Sequence, residues 1–125
     1  MDIHNLQIET ICAASVAYHE GATKNERIAI IHTLRHRLMS GRWGNSLCTV
    51  AYADGQFIGV TDETHAQVDK KTYLETQLLV LDTIVFHKYP DPVPGALYFH
   101  DKSIPKKHQW FGHPHKKTIN NLEFY

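Results

Sequence analysis

Glu20 is the residue of this chain best placed to do chemistry. It follows Ile8, Ile11, Cys12, Ser15, Val16 and His19, whose spacing is that of an amphipathic helix, and it is followed at once by Gly21. A carboxylic acid in a partly apolar cleft has its pKa raised, so it can keep a proton and give it to a leaving oxygen, as glycoside cleavage requires. The rival reading of a glutamate at a helix end is a solvated surface charge. A second group suits ligand binding rather than proton transfer. Gln56, Phe57, Tyr98, His100 and Tyr125 offer the flat apolar faces and the amide and hydroxyl groups that sugar rings need. Core packing competes for Phe57 and Tyr125, whereas Gln56 and Tyr98 are polar groups on β-prone segments and require partners. Ten histidines raise the question of a metal. His32 and His36 share a helix face, and His113 and His115 with His100 or His108 could add ligands. The pair lacks the glutamate of a His-Glu-x-x-His motif, and Cys12 and Cys48 lack ligand spacing, so no metal and no cofactor is expected.

These residues need elements to hold them. A first helix spans about 7–19 and stops at Gly21. Thr23-Lys24-Asn25-Glu26 has the form of a capping box and opens a second helix over 24–39, closed by Ser40-Gly41. Residues 47–52 suit one or two helical turns. Asp54-Gly55 reads as a hairpin-like turn before a weak strand at 56–60. Leu74, Leu78, Leu81 and Val85 mark a third long helix over 70–87, stopped by the proline run at 89–94. Residues 95–100 read as a strand and 118–125 as a final strand or extended tail. Between them lies a basic loop at 101–117, with Lys102, Lys106, Lys107, Lys116 and Lys117 against Asp101 alone. It is solvated surface or a face for anionic partners. Cys12 and Cys48, each among apolar neighbours, read as buried free thiols.

The whole chain of 125 residues suits one domain, 1–125. Thirteen basic side chains balance thirteen acidic ones, which argues against nucleic acid as a partner. No apolar run approaches the roughly 20 residues that span a bilayer, so no membrane insertion is expected. The N-terminus has neither a positive leader nor a long apolar stretch, so no signal peptide is read there.

Taken in order, Ala14-Ser15-Val16-Ala17-Tyr18-His19-Glu20-Gly21, Thr33-Leu34-Arg35-His36-Arg37-Leu38, Asp54-Gly55-Gln56-Phe57, Asp91-Pro92-Val93-Pro94-Gly95-Ala96-Leu97-Tyr98-Phe99-His100 and Glu123-Phe124-Tyr125 resemble the SleB-type cell-wall hydrolases, the family of the spore cortex-lytic enzymes. The resemblance implies an α+β, mainly helical, lysozyme-like fold with a small β element. It also implies cleavage of peptidoglycan between N-acetylmuramic acid and N-acetylglucosamine by a lytic transglycosylase or muramidase. One glutamate, matched by Glu20, would act as acid and then base, and the chain would work as a monomer without cofactor. Relatives show Glu-Ala-Arg-Gly-Glu where this chain has Glu20-Gly21-Ala22-Thr23-Lys24-Asn25-Glu26, which leaves the role of Glu26 open. They show Asn-Arg where it has His36-Arg37, and Gln-Phe-Ser where it has Gln56-Phe57-Ile58. A bare catalytic domain of this type suits a phage endolysin or virion-associated lysin, made in the cytoplasm and brought to the wall through a holin or by the particle. The alternative is a non-catalytic glycan-binding or structural virion component that keeps the fold.

Overall fold

In the computed structural model, residues 3–53, 69–103 and 113–125 are described. The elements are α1 (Ile3–Glu20), α2 (Lys24–Ser40), the short α3 (Leu47–Ala51), α4 (Lys70–Val80), a π-helical turn (Leu81–Val85), and the strands β1 (Phe99–Asp101), β2 (Lys117–Ile119) and β3 (Leu122–Phe124). The fold is therefore α+β and mainly helical, as expected. The weak strand at 56–60 lies outside the described residues, as do Asp54-Gly55, Lys106 and Lys107.

Helix α1 is four residues longer at its start than its periodicity suggests, and its buried side differs from the expected one. Cys12 to Val16 and Ala17 form an unbroken buried run, because α1 packs against α2, α3 and α4 at once. Ile8 and Ile11, expected on the core side, are exposed. The small side chains of Ala13, Ala14 and Ala17 let the neighbouring helices approach from several sides, so burial there does not follow one stripe. Helix α2 matches the reading closely. Thr23 caps its start and Gly41, at φ 75°, ends it in the left-handed conformation that glycine adopts at no cost. Ile28, Ala29, Ile30, Ile31 and Leu34 are buried along it.

The third long helix departs from expectation. It is α-helical only to Val80, then widens into the π turn, with the Phe86 amide donating to the Leu81 carbonyl at 3.1 Å. Its buried side is Thr76, Leu79 and Val80, while Leu74 and Leu78 are 58% and 61% exposed. The two exposed leucines instead border an open apolar groove with Ile3, Leu6 and Ile11 of α1.

Cys12 and Cys48 are not free thiols; they form a disulfide. The reason is local docking. Both carboxylate oxygens of Glu9, one turn before Cys12, accept from the first amides of α3, Leu47 N at 2.8 Å and Cys48 N at 3.0 Å. That grip brings the two cysteine Cα atoms to 5.0 Å, within bridging distance.

The expected C-terminal strand is a hairpin. Asn120-Asn121 turns the chain between β2 and β3, with Asn120 at φ 51°, a left-handed value that asparagine tolerates. The sheet runs β1-β3-β2, antiparallel throughout, with Phe99 opposite Phe124 and His100 opposite Glu123. Alternation along β3 buries Leu122 and Phe124 in the core. Residues 95–98, expected in the first strand, are the approach to β1 rather than part of it.

Helix α2 also holds the connector that leads to the sheet. His32 Nε2 lies 3.2 Å from the Tyr89 carbonyl, His36 Nδ1 2.7 Å from the Ala96 carbonyl, and Arg37 Nε donates to the Leu97 carbonyl at 2.7 Å. Asp91 accepts from His36 at 2.6 Å, from Arg35 at 3.3 Å and from the Val93 amide at 2.9 Å. Burial raises the Asp91 carboxyl, but the Val93 amide and the His36 contact outweigh it and hold the group below the usual carboxylate range.

Candidate active site

Glu20 is the last residue of α1, and its side chain is partly buried. Burial pushes its carboxyl above the ordinary value of 4.5. Among the described residues no hydrogen bond or ion pair engages it, so nothing there stabilises the charged form. Gly21 continues the backbone, its amide donating to the Ala17 carbonyl at 3.0 Å. A β-carbon at this position would sit 2.9 Å from Arg27 Cγ and 3.0 Å from both Ala17 O and Ile30 Cδ1. Glycine lets these three neighbours close in on the chain directly behind Glu20 without displacement.

The turn after Glu20 is held by Glu26, which is 1% exposed. Its Oε1 accepts from the amides of Ala22 at 2.7 Å and Thr23 at 3.0 Å, and Thr23 Oγ1 in return accepts the Glu26 amide at 3.1 Å. This is the capping box read from the sequence. The sequence did not reveal the third bond, from the Asn121 amide to Glu26 Oε2 at 2.9 Å. Thr23 Oγ1 also donates to Asn120 Oδ1 at 2.7 Å. The β2–β3 turn is thereby fastened to the turn that carries Glu20. Glu26 thus has both oxygens engaged by backbone amides and joins the turn after Glu20 to the start of α2 and to the hairpin.

Beside the turn, Arg27 lies over the Tyr18 ring at 5.8 Å. Tyr18 meets His19 and Tyr73 edge-on, at 5.2 and 5.5 Å, and its hydroxyl accepts the Asp69 amide at 2.9 Å. This aromatic and cationic wall next to Glu20 was not anticipated; the Tyr18-His19 pair preceding the glutamate was its only sequence signal.

Three of the expected sugar-binding residues come together at one end of the sheet, His100 in β1 with Tyr98 just before it and Tyr125 just after β3. The backbones of Tyr98 and Tyr125 exchange hydrogen bonds at 3.1 and 2.8 Å. His100 Nε2 lies 2.9 Å from the Tyr125 hydroxyl with the two rings stacked, and its Nδ1 donates to the Asp101 carbonyl at 2.6 Å. His100 and Tyr125 are buried, whereas Tyr98 is half-buried between Trp43 at 5.7 Å and His113 at 4.7 Å. Arg37 spans Trp43 and Tyr98, its guanidinium 4.3 and 5.4 Å from the two rings; burial lowers its pKa to about 10, so it remains charged at neutral pH. Among the described residues no bond or ring contact joins Glu20 to Tyr98, His100 or Tyr125. Gln56 and Phe57 lie outside the described residues.

His32 and His36 do share a face of α2, but His32 Nε2 and both ring nitrogens of His36 are taken up by the 89–97 connector, and His32 Nδ1 lies 3.4 Å from the Arg35 guanidinium. Burial lowers the His32 pKa. Among the described residues no three histidine, cysteine, aspartate or glutamate side chains are grouped to hold a metal ion.

The described residues thus form a mainly helical domain with a small antiparallel sheet and a partly buried glutamate beside a clamped turn. Residues 21–125 match the model of the Cell Wall Hydrolase family, and the chain belongs to that family, whose members act on peptidoglycan. Glu20 immediately precedes the matched span. No curated protein and no solved structure matches the chain. Among the described residues no helix is long and apolar enough to cross a membrane.

Proposed function

We propose that this enzyme cuts the glycan strands of peptidoglycan between N-acetylmuramic acid and N-acetylglucosamine, with Glu20 as the single general acid/base. The observation that carries the reading is the raised carboxyl of Glu20, unpartnered among the described residues and set on a turn that Glu26 and Gly21 fix in place. Protonated Glu20 gives its proton to the glycosidic oxygen as the bond to the muramic acid anomeric carbon breaks. The resulting carboxylate then takes a proton from the attacking hydroxyl. If that hydroxyl is water, the enzyme is a muramidase; if it is the C6 hydroxyl of the same muramic acid, a 1,6-anhydro ring closes and the enzyme is a lytic transglycosylase. Ordinary hydrolysis places a second carboxylate about 5–9.5 Å across the bond. Glu26, the acid nearest in sequence, is engaged by backbone amides and so is not free to be that second carboxylate.

Of Tyr98, His100 and Tyr125, only Tyr98 is not buried, and it would stack on a sugar. His100 and Tyr125, buried against each other, would support it from behind. The Cys12–Cys48 disulfide suits work in an oxidising compartment, in keeping with a lysin that acts on the wall as a monomer after release from the cytoplasm or on a phage particle. The test is digestion of purified peptidoglycan followed by mass spectrometry of the released muropeptides, with Glu20→Gln alongside. Anhydro products that vanish in the variant support the transglycosylase reading, and hydrated reducing ends support the muramidase. Binding without release by either protein would overturn glycan cleavage in favour of a non-catalytic wall-binding role.

A further inference from the structure

A concave site away from Glu20 itself shares Arg27 with the surroundings of that residue. It is a cavity of about 260 Å³ between the first turns of α2 and the α4–π-turn segment. Lys24 and Arg27, three residues apart and so on one side of α2, form one wall. Glu75 and Asp82 form the facing wall, and Tyr89 closes one end with its ring under the ammonium groups of Lys24 at 5.0 Å and Lys88 at 5.6 Å.

The charges across this cavity do not neutralise one another. Among the described residues no carboxylate pairs with Lys24 or Arg27 and no cation pairs with Glu75, while Asp82 has only a 3.9 Å approach from the exposed Lys88. Arg27 Nε is buried and, among the described residues, has no hydrogen-bond partner, a state that proteins rarely leave unsatisfied. Arg27 is also the side chain packed over Gly21, the residue after Glu20, so one side chain borders both the cavity and the Glu20 turn.

A simple anion would meet Glu75 and Asp82, and a simple cation would meet Lys24 and Arg27, each at a cost. A group bearing both signs satisfies both walls. The volume is below the roughly 300–1,000 Å³ of pockets for drug-sized ligands, which matches an amino-acid-sized group. We propose that this cavity is a subsite for a zwitterionic amino-acid end group, and, resting on the glycan-cleavage reading, that it receives the peptide branch borne by the sugar cut at Glu20.

The probe is the tripeptide N-acetyl-L-alanyl-γ-D-glutamyl-L-lysine, which carries carboxylates and one ammonium, on the lysine side chain, but no sugar, titrated into the whole protein and followed by NMR and calorimetry. Wild-type protein and Glu20→Gln should bind it alike. Glu75→Gln and Arg27→Gln should each weaken binding about tenfold, as should acetylation of the lysine side chain, since each removes one charge-assisted contact. Lys24→Gln, at an exposed position, repeats the test should Arg27→Gln fail to fold. No binding at millimolar tripeptide overturns the subsite, as does binding that is indifferent to Glu75 or to acetylation. Wall cleavage without tripeptide binding sinks the subsite alone; tripeptide binding without wall cleavage sinks glycan cleavage alone.

Discussion

Glu26 Oε2 accepts the backbone amide of Asn121 at 2.9 Å, across 95 positions of chain. The same carboxylate caps α2 through Ala22 and Thr23, so one buried side chain joins the turn behind Glu20, the start of a core helix and the tip of the β2–β3 hairpin. A carboxylate with three amide donors is costly to replace, because each amide loses its acceptor in a site closed to water.

Glu26→Gln can accept through only one side-chain oxygen, and its amide nitrogen would face a backbone N–H. We expect a loss of about 1–3 kcal/mol of stability, and more for Glu26→Ala. Urea unfolding measures it. Wall cleavage should fall by more than stability alone explains, read as specific activity of the fraction still folded.

Glu20 should cost the fold stability at neutral pH. Its folded pKa is raised above the ordinary 4.5, so the native chain binds more protons than the unfolded one from about that pH upward through the raised value. Stability therefore falls as pH rises through this window. Glu20→Gln should melt higher than wild type at pH 7, with the difference vanishing near pH 4. Equal melting at both values would contradict an acid poised by burial.

Asp91 has the opposite sign. Its folded pKa is depressed, so its contribution is present above pH 3.8 and is lost as pH falls below that value through the folded pKa. Asp91→Asn should cost about 1–3 kcal/mol at pH 7, since His36, Arg35 and the Val93 amide lose a charged acceptor. Acid titration of both proteins by circular dichroism should show the gap narrowing below pH 3.8.

Reduction of the Cys12–Cys48 bond, which spans a sequence separation of 36, should lower stability by about 2–4 kcal/mol. A Cys12→Ser, Cys48→Ser double variant should unfold at the midpoint of the reduced protein and ignore added dithiothreitol.

Two adjacent leucines of α4 should behave differently. Leu79 is buried, and Leu79→Ala should cost about 2–5 kcal/mol; Leu78 is 61% exposed, and Leu78→Gln should change stability by no more than about 0.5 kcal/mol. Denaturant midpoints decide. The apolar rhythm of the sequence assigns Leu78 to the core, so this pair tests the tertiary arrangement against the pattern.

What the sequence by itself determined is local. The capping box at Thr23 and Glu26, the stop at Gly41, the end of α1 at Glu20 and the order of motifs shared with cell-wall hydrolases are each readable because the signals act within one or two turns of the chain. Tertiary structure alone decided the rest. Which side of α1 and α4 is buried depended on how many helices crowd α1, and the apolar periodicity of one segment carries no information about its neighbours. The disulfide needed Glu9 to grip α3, and the Asp91 contacts needed α2 to meet a connector 55 positions later. The role of Glu26 needed the final hairpin to reach back to the start of α2. These are contacts between segments distant in sequence, and their energies exist only once the chain has folded around them.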